Sequence, residues 1–215
     1  MQQKIIKPQD LICMNNYADE YHYHIDLSYA SCDNLLFGEL IYRKNAQLWL
    51  YRNLAEIVFQ AAKICFEKHD LRFVLYDGLR TINAQEAMIK TQRVIDNPHW
   101  LEEPRLLSPA GYGGHPRGMA IDIGLENTKG ILLDMGCVFD HLDKEAHRDY
   151  KHSQEIMDNR KILDDCMISA AQALNIPILP LPEEWWDFRL PADFYNQYAP
   201  LSDADLPEHM RLVNI

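Results

Sequence analysis

MAIDIGLENTKGILLDMG, residues 119–136, carries two short apolar runs joined by Asn127-Thr128-Lys129-Gly130. Apolar runs separated by a few turn-forming residues read as a β-hairpin. Outward from it, LRFVLYDG (71–78) reads as a buried strand ended by Gly78, and EEWWDFRL (183–190) as an aromatic strand. Three stretches have helical spacing. In 45–70, Leu50, Leu54, Ile57, Val58, Ala61, Ile64 and Cys65 form one apolar face; 81–98 is a second helix capped by Thr81 or Asn83 and stopped before Pro98; 153–175 is the third. Residues 20–45 read as extended and irregular, 107–118 as loop, and a last helix is expected near DADLPEHMRLV (203–213). Helices alternating with strands, plus a hairpin, predict an α+β fold: one domain over 1–215, with a largely antiparallel central sheet flanked by helices.

Composition narrows the function. The chain has 215 residues, 47% of them hydrophobic, enough for one compact core. Net charge is −11 with no basic run, which argues against a nucleic-acid partner. No stretch approaches the ~20 apolar residues of a membrane span. Five scattered cysteines, an odd number with no CxxC pair, predict free thiols and a reducing compartment. The N-terminus has no apolar signal region, so the expected location is cytoplasmic, or periplasmic if a signal peptide has been removed.

Two segments carry chemistry. His115 ends a loop and Asp122 lies on a strand, and both are ordinary zinc ligands. Their separation of seven would put them on opposite faces of an ideal strand, so convergence requires His115 off the strand or a bulge near Gly118. Alone, the pair is equally a solvated histidine beside a strand aspartate. Glu184 and Asp187 flank Trp185 and Trp186. A catalytic metal wants three protein ligands, an open position and a base beside it. His115, Asp122 and Asp187 can be the ligands and Glu184 the base; acids at the edge of a packed Trp pair are the plainer alternative.

GGHPRGMAIDIGL (113–125) resembles the SxHxxGxAxD motif of the D-alanyl-D-alanine dipeptidases, the VanX-type zinc peptidases. EEWWDF (183–188) is similar to their EWWH motif, and YDGLR (76–80) to their strand ending in an essential arginine. DLSYASCDNLLFGELIY (26–42), DMGCVFDHLDKEAH (134–147) and NRKILDDCMISAAQAL (159–174) extend the likeness in order from about residue 25 to 190. The resemblance implies an α+β fold with an antiparallel sheet and hydrolysis of a D-Ala-D-Ala-type dipeptide. It implies zinc on His115 and Asp122, Glu184 as general base, Arg80 on the oxyanion and Asp140 receiving the substrate ammonium. Asp77 and Tyr76 stand where they can orient Arg80, or equally where they simply end a strand.

Two departures stand out. Asp187 replaces the family's third histidine ligand, and the serine of S-x-H is absent, Gly113 and Gly114 preceding His115. Zinc with His, Asp and Asp is formally neutral where the usual set leaves +1. A less positive centre acidifies water less, which predicts slower turnover or a higher pH optimum. An oxygen-rich set also opens the site to manganese, iron or cobalt. The remaining histidines are scattered; His147 is the one placed to supply a missing ligand. The alternatives are a metal-poor homologue that binds peptide or muropeptide without cleaving it, and a peptidase with a shifted substrate.

Overall fold

The computed structural model describes residues 2–103 and 105–214. In chain order its strands and α-helices are β1 (Leu11–Cys13), α1 (Ala18–Tyr21), β2 (His24–Ile25), β3 (Trp49–Tyr51), α2 (Arg52–His69), β4 (Leu71–Asp77), α3 (Ile82–Ile89), α4 (Gln92–Asp96), β5 (Ala120–Asn127), α5 (Gln154–Leu174), β6 (Leu179–Pro180), β7 (Asp187–Arg189) and α6 (Ala192–Tyr195). One sheet has the order β2-β4-β5-β7-β6, and β1 pairs with β3 apart from it. Within the larger sheet β2–β4 is parallel and the other three pairs are antiparallel. The α+β class and the antiparallel bias are as the sequence implied. No helix of the described residues is long and apolar enough to cross a membrane.

The two long helices make the core layer. In α2 the buried residues are Leu54, Ala55, Ile57, Val58, Ala61, Ala62 and Cys65, a stripe at helical spacing. In α5 they include Leu163, Cys166, Met167, Ala170 and Ala171. Alanines on both contact faces let α2 and α5 approach closely; α2 packs on β4 and α5 on β5. Phe73, Leu75, Ile121, Ile123, Leu125 and Phe188 join the same core from the sheet. Each such side chain contributes roughly 1.5–3 kcal/mol on burial. Asp70 and Asn175 end the two helices in the left-handed conformation, which short polar side chains tolerate.

Several elements differ from expectation. The second arm of the 119–136 hairpin is a single bridge, Glu126 to Leu132, with Leu133 N–H reaching Leu125 O. Both edges of β5 are already used: β4 pairs along one, and β7 takes the first three residues of the other. Leu50 lies on β3, and its apolar side chain is buried from there. The 81–98 helix breaks at Lys90-Thr91 into α3 and α4; Thr81 is the cap, accepting from Ala84 N–H. The aromatic strand begins at Asp187, because residues 182–186 are occupied in turning the chain. Near the C-terminus Pro207 separates two 3-10 turns, Asp203–Asp205 and Glu208–Met210, where one helix was expected.

Candidate active site

Three adjacent strands place three aspartates side by side. Asp77 of β4 pairs with Asp122 of β5, and Asp122 pairs with Asp187 of β7. A register shift between Leu75 and Asp77 creates this row. Leu75 faces Ile123, so an unbroken ladder would set Tyr76 opposite Asp122; one extra residue in β4 brings in Asp77 instead. All three carboxylates are at least 98% buried. Like charges opposite one another destabilise a sheet, and buried charges must be paired. The row therefore needs cations or a carboxyl held neutral, and burial does raise the Asp122 carboxyl.

Each end has a cation. Arg80 donates to Asp77 Oδ2 from Nε at 2.8 Å, with Nη2 ion-paired to the same oxygen at 2.8 Å, and Tyr42 donates its hydroxyl to Asp77 Oδ1 at 2.8 Å. At the other end Arg189 Nε donates to Asp187 Oδ1 at 2.7 Å, and its Nη2 grips Oδ2. Residues 187 and 189 share a face because strand side chains alternate. Burial alone would raise the Asp187 carboxyl, but Arg189 and His115 hold it below the usual carboxylate range.

The middle of the row is different. Asp122 Oδ2 has Arg80 Nη2 at 3.5 Å, but its buried Oδ1 has no hydrogen-bond partner among the described residues. Facing it is His115, which leaves the strand on a 3-10 turn, His115–Arg117. Gly118 closes that turn at φ +63°, with Tyr51 N only 3.0 Å from where a Cβ would sit. His115 Nδ1 lies 2.8 Å from the Gly78 carbonyl, which can only accept, so Nδ1 carries a proton and Nε2, turned to the carboxylates, presents a lone pair when the ring is neutral. Nε2 is 3.6 Å from Asp122 Oδ1 and 3.3 Å from Asp187 Oδ2. A tetrahedral ion with bonds of about 2.0–2.2 Å has edges of about 3.3–3.6 Å. These donor types suit a divalent cation, and Asp122 is shared by two groups whose donor atoms lie within 4.8 Å of one another, Asp77-His115-Asp122 and Asp122-Glu184-Asp187. Burial and Arg80 oppose protonation of His115, yet Asp122 and Asp187 push it up to about 10: these carboxylates attract positive charge to this point.

Two further acids border the row. Glu184 sits in the turn before β7, its N–H 3.3 Å from Leu181 O, with a carboxylate oxygen within 4.8 Å of Asp122 and Asp187 oxygens. Burial, then Asp187 and Asp122, push it up to about 8. Asp140, at φ +66°, accepts from Tyr29 Oη at 2.9 Å; its Oδ2 is buried without a partner among the described residues. Burial, then Asp122, push it up to about 7. Trp186 walls the cavity and meets Phe139 edge-on at 5.5 Å, while Trp185 packs perpendicular to it in the core. Arg80, His115, Asp122, Asp140, Glu184 and Asp187 thus line one cavity, roofed by apolar side chains including Leu36, Phe37 and Met88.

A family profile described as D-ala-D-ala dipeptidase, Peptidase M15, matches residues 14–203. The chain belongs to this family. The M15 peptidases are metallopeptidases, so peptide hydrolysis is the chemistry to be explained. The D-alanyl-D-alanine dipeptidase of Escherichia coli K12 is 26% identical over 167 residues, 78% of each chain. The L-Ala D-Glu endopeptidase ChiX of Serratia marcescens superposes with a TM-score of 0.40 at 14% identity, covering 68% of this chain and 84% of its own, too loose a likeness to argue from.

Against the M15 pattern, the departures acquire a physical form. Gly113 lines the cavity at φ +85° with nothing within 4 Å of a Cβ built on it, so the missing serine leaves open space. His147 does not line the cavity and supplies no ligand there; its carbonyl accepts from Arg160. The expectation of a formally neutral metal centre counted Asp187 and overlooked Arg189, whose charge offsets it. Alternation along β7 was the signal, since Arg189 is two residues from Asp187. Tyr29 and Tyr42 were also missed, although both lie in the matched 26–42 segment. The Arg80 guanidinium lies 5.2 Å over the Tyr29 ring, and Tyr29 and Tyr42 hold Asp140 and Asp77.

Proposed function

We propose that this chain is a metal-dependent dipeptidase acting on a D-Ala-D-Ala-type dipeptide. One observation supports the reading: a row of buried aspartates whose ends are neutralised by arginines and whose middle faces His115 Nε2, 3.6 Å from Asp122 Oδ1 and 3.3 Å from Asp187 Oδ2. His115, Asp122 and Asp187 hold the cation, with zinc the first choice and manganese, iron or cobalt compatible with the oxygen-rich set. What the cation supplies when bound is Lewis acidity, which polarises a carbonyl and acidifies water.

The chain's own groups do the rest. Glu184 takes the proton of the attacking water on a carboxylate oxygen and returns it to the leaving amine, a role suited to a carboxyl raised toward neutrality. Arg80 is held by Asp77 through Nε and the ion pair at Nη2, and by Asp122 through Nη2, which fixes the guanidinium and leaves Nη1 for the scissile carbonyl oxygen. That contact strengthens as charge builds on oxygen, so it lowers the barrier. Asp140 offers its unpartnered Oδ2 to the free ammonium of the dipeptide. Trp186 and the apolar part of the lining lower the local dielectric, which strengthens each of these charge interactions.

A second reading is favoured by Arg189 occupying both oxygens of Asp187: a metal-poor homologue that binds peptide without cleaving it. Metal analysis of the purified protein, followed by D-Ala-D-Ala hydrolysis with and without chelator, separates the two. Turnover abolished by chelator and restored by zinc or manganese is expected. Peptide binding with no turnover under any metal would establish the second reading. Comparison with L-Ala-L-Ala and N-acetylated D-Ala-D-Ala tests stereochemistry and the Asp140 contact, and larger D-peptides test whether the space at Gly113 shifts the substrate.

A further inference from the structure

The Asp187–Arg189 pair has no counterpart in the His-Asp-His set that the family motif implies. We infer that the two residues together act as one neutral metal ligand, Arg189 being a positioning residue that sets how tightly the site holds a divalent cation. The inference rests on the metal-dependent reading above.

The geometry supports a ligand that is paired and still available. Arg189 approaches Asp187 side-on, one nitrogen to each oxygen. Each carboxylate oxygen has two lone pairs, so a fork uses one on each and leaves the other. The remaining lone pair of Asp187 Oδ2 is turned to His115 Nε2, 3.3 Å away, a contact that a cation bound between the two would replace. Burial keeps the fork from being exchanged for water: Asp187 is fully buried and the Arg189 side chain is 21% exposed.

Charge counting gives the consequence. His115, Asp122 and the Asp187–Arg189 pair sum to −1, the same as two neutral imidazoles and one aspartate. A divalent ion therefore sees the usual formal charge despite the changed ligand. A carboxylate behind a metal ligand raises that ligand's basicity and tightens binding. A guanidinium behind it does the reverse, drawing electron density from the carboxylate and repelling the ion. Removing Arg189 should thus tighten metal binding, whereas removing a merely structural residue would loosen it.

The test is zinc affinity by chelator competition on the full chain, with stoichiometry read by metal analysis and folding of each metal-free protein checked by circular dichroism. Arg189→Met leaves the ligand set at −2 and should bind zinc roughly ten- to a hundredfold more tightly than wild type. Asp187→His alone sets it at 0, with an unpaired arginine beside the ion, and should bind most weakly. Asp187→His combined with Arg189→Met returns to −1 and should recover wild-type affinity to within a few-fold. Arg189→Lys keeps the charge and should stay near wild type. Should Arg189→Met fail to fold, tighter binding by the double variant than by Asp187→His carries the inference alone. Stoichiometric zinc whose affinity is unmoved or weakened by loss of Arg189, or an Asp187→His variant as tight as the double, would overturn the pairing and leave the dipeptidase reading intact. Absence of any stoichiometric divalent metal (zinc, manganese, iron or cobalt) from wild type and all variants would overturn both.

Discussion

Along β5, Ile121, Ile123 and Leu125 join the helix-covered core, while Asp122 and Glu126 face the other way. The neighbouring strand β7 repeats the division, with Phe188 in the core and Asp187 and Arg189 opposite. Both sides of the sheet are buried, but for different reasons. The helix side is held by apolar area, non-directional and tolerant of exchange among similar shapes. The other side buries a line of carboxylates that costs stability unless each is matched by a cation. Stability resides mainly on the first face and chemistry on the second, so substitutions on the two should separate folding from turnover.

The largest effect belongs to the charged face. Glu184→Gln removes the proposed proton carrier and keeps its shape; kcat for D-Ala-D-Ala should fall by roughly 10²–10⁴. The melting temperature above pH 8 should hold or rise, since a carboxyl raised by burial and by Asp187 and Asp122 is no longer forced to ionise there. Turnover within tenfold of wild type would remove Glu184 from the mechanism and blur the division between faces.

The apolar face should respond in the opposite sense. Ile123 is fully buried, so Ile123→Ala should cost about 2–5 kcal/mol in denaturant unfolding through lost transfer energy and the cavity left behind. The folded fraction should keep kcat within a few-fold. A proportionate loss of kcat in fully folded protein would mean that the core face also tunes the site.

This asymmetry explains what could be read in the sequence. Apolar periodicity reports the helix-covered face directly, so α2, α5, β4 and the α+β class were legible from spacing. The weak places were those decided by competition for partners: the second hairpin arm lost β5 to β7, and a helix at 81–98 broke where Lys90-Thr91 turned the chain. The site was legible through motif resemblance, which located His115, Asp122, Glu184 and Arg80 in the cavity. Periodicity could not have found it, because the Asp77-Asp122-Asp187 row depends on a single extra residue in β4, and no local pattern announces a register shift. Arg189 was within reach of strand alternation; what hid it was treating Asp187 as a lone replacement for histidine.

The smallest predicted effect tests both faces at once, at Asp140. Its carboxyl is raised from 3.8 to about 7, chiefly by burial and secondly by Asp122. A raised carboxyl favours the neutral form in the folded chain. Its contribution to stability is therefore full below the ordinary value and is lost as pH rises through about 7. Asn is neutral at every pH, nearly isosteric, and tolerates the φ of +66° found here. Asp140→Asn should melt with wild type near pH 4 and above it at pH 8. If Asp140 also receives the substrate ammonium, the same variant should raise KM for D-Ala-D-Ala by roughly tenfold or more, the loss of one charge-assisted contact. It should also flatten the acid limb of kcat/KM near neutrality. A higher melting temperature with unchanged KM would leave Asp140 as buried strain without a function; a raised KM with no pH-dependent stabilisation would mean that the carboxyl ionises in the folded protein as easily as in water.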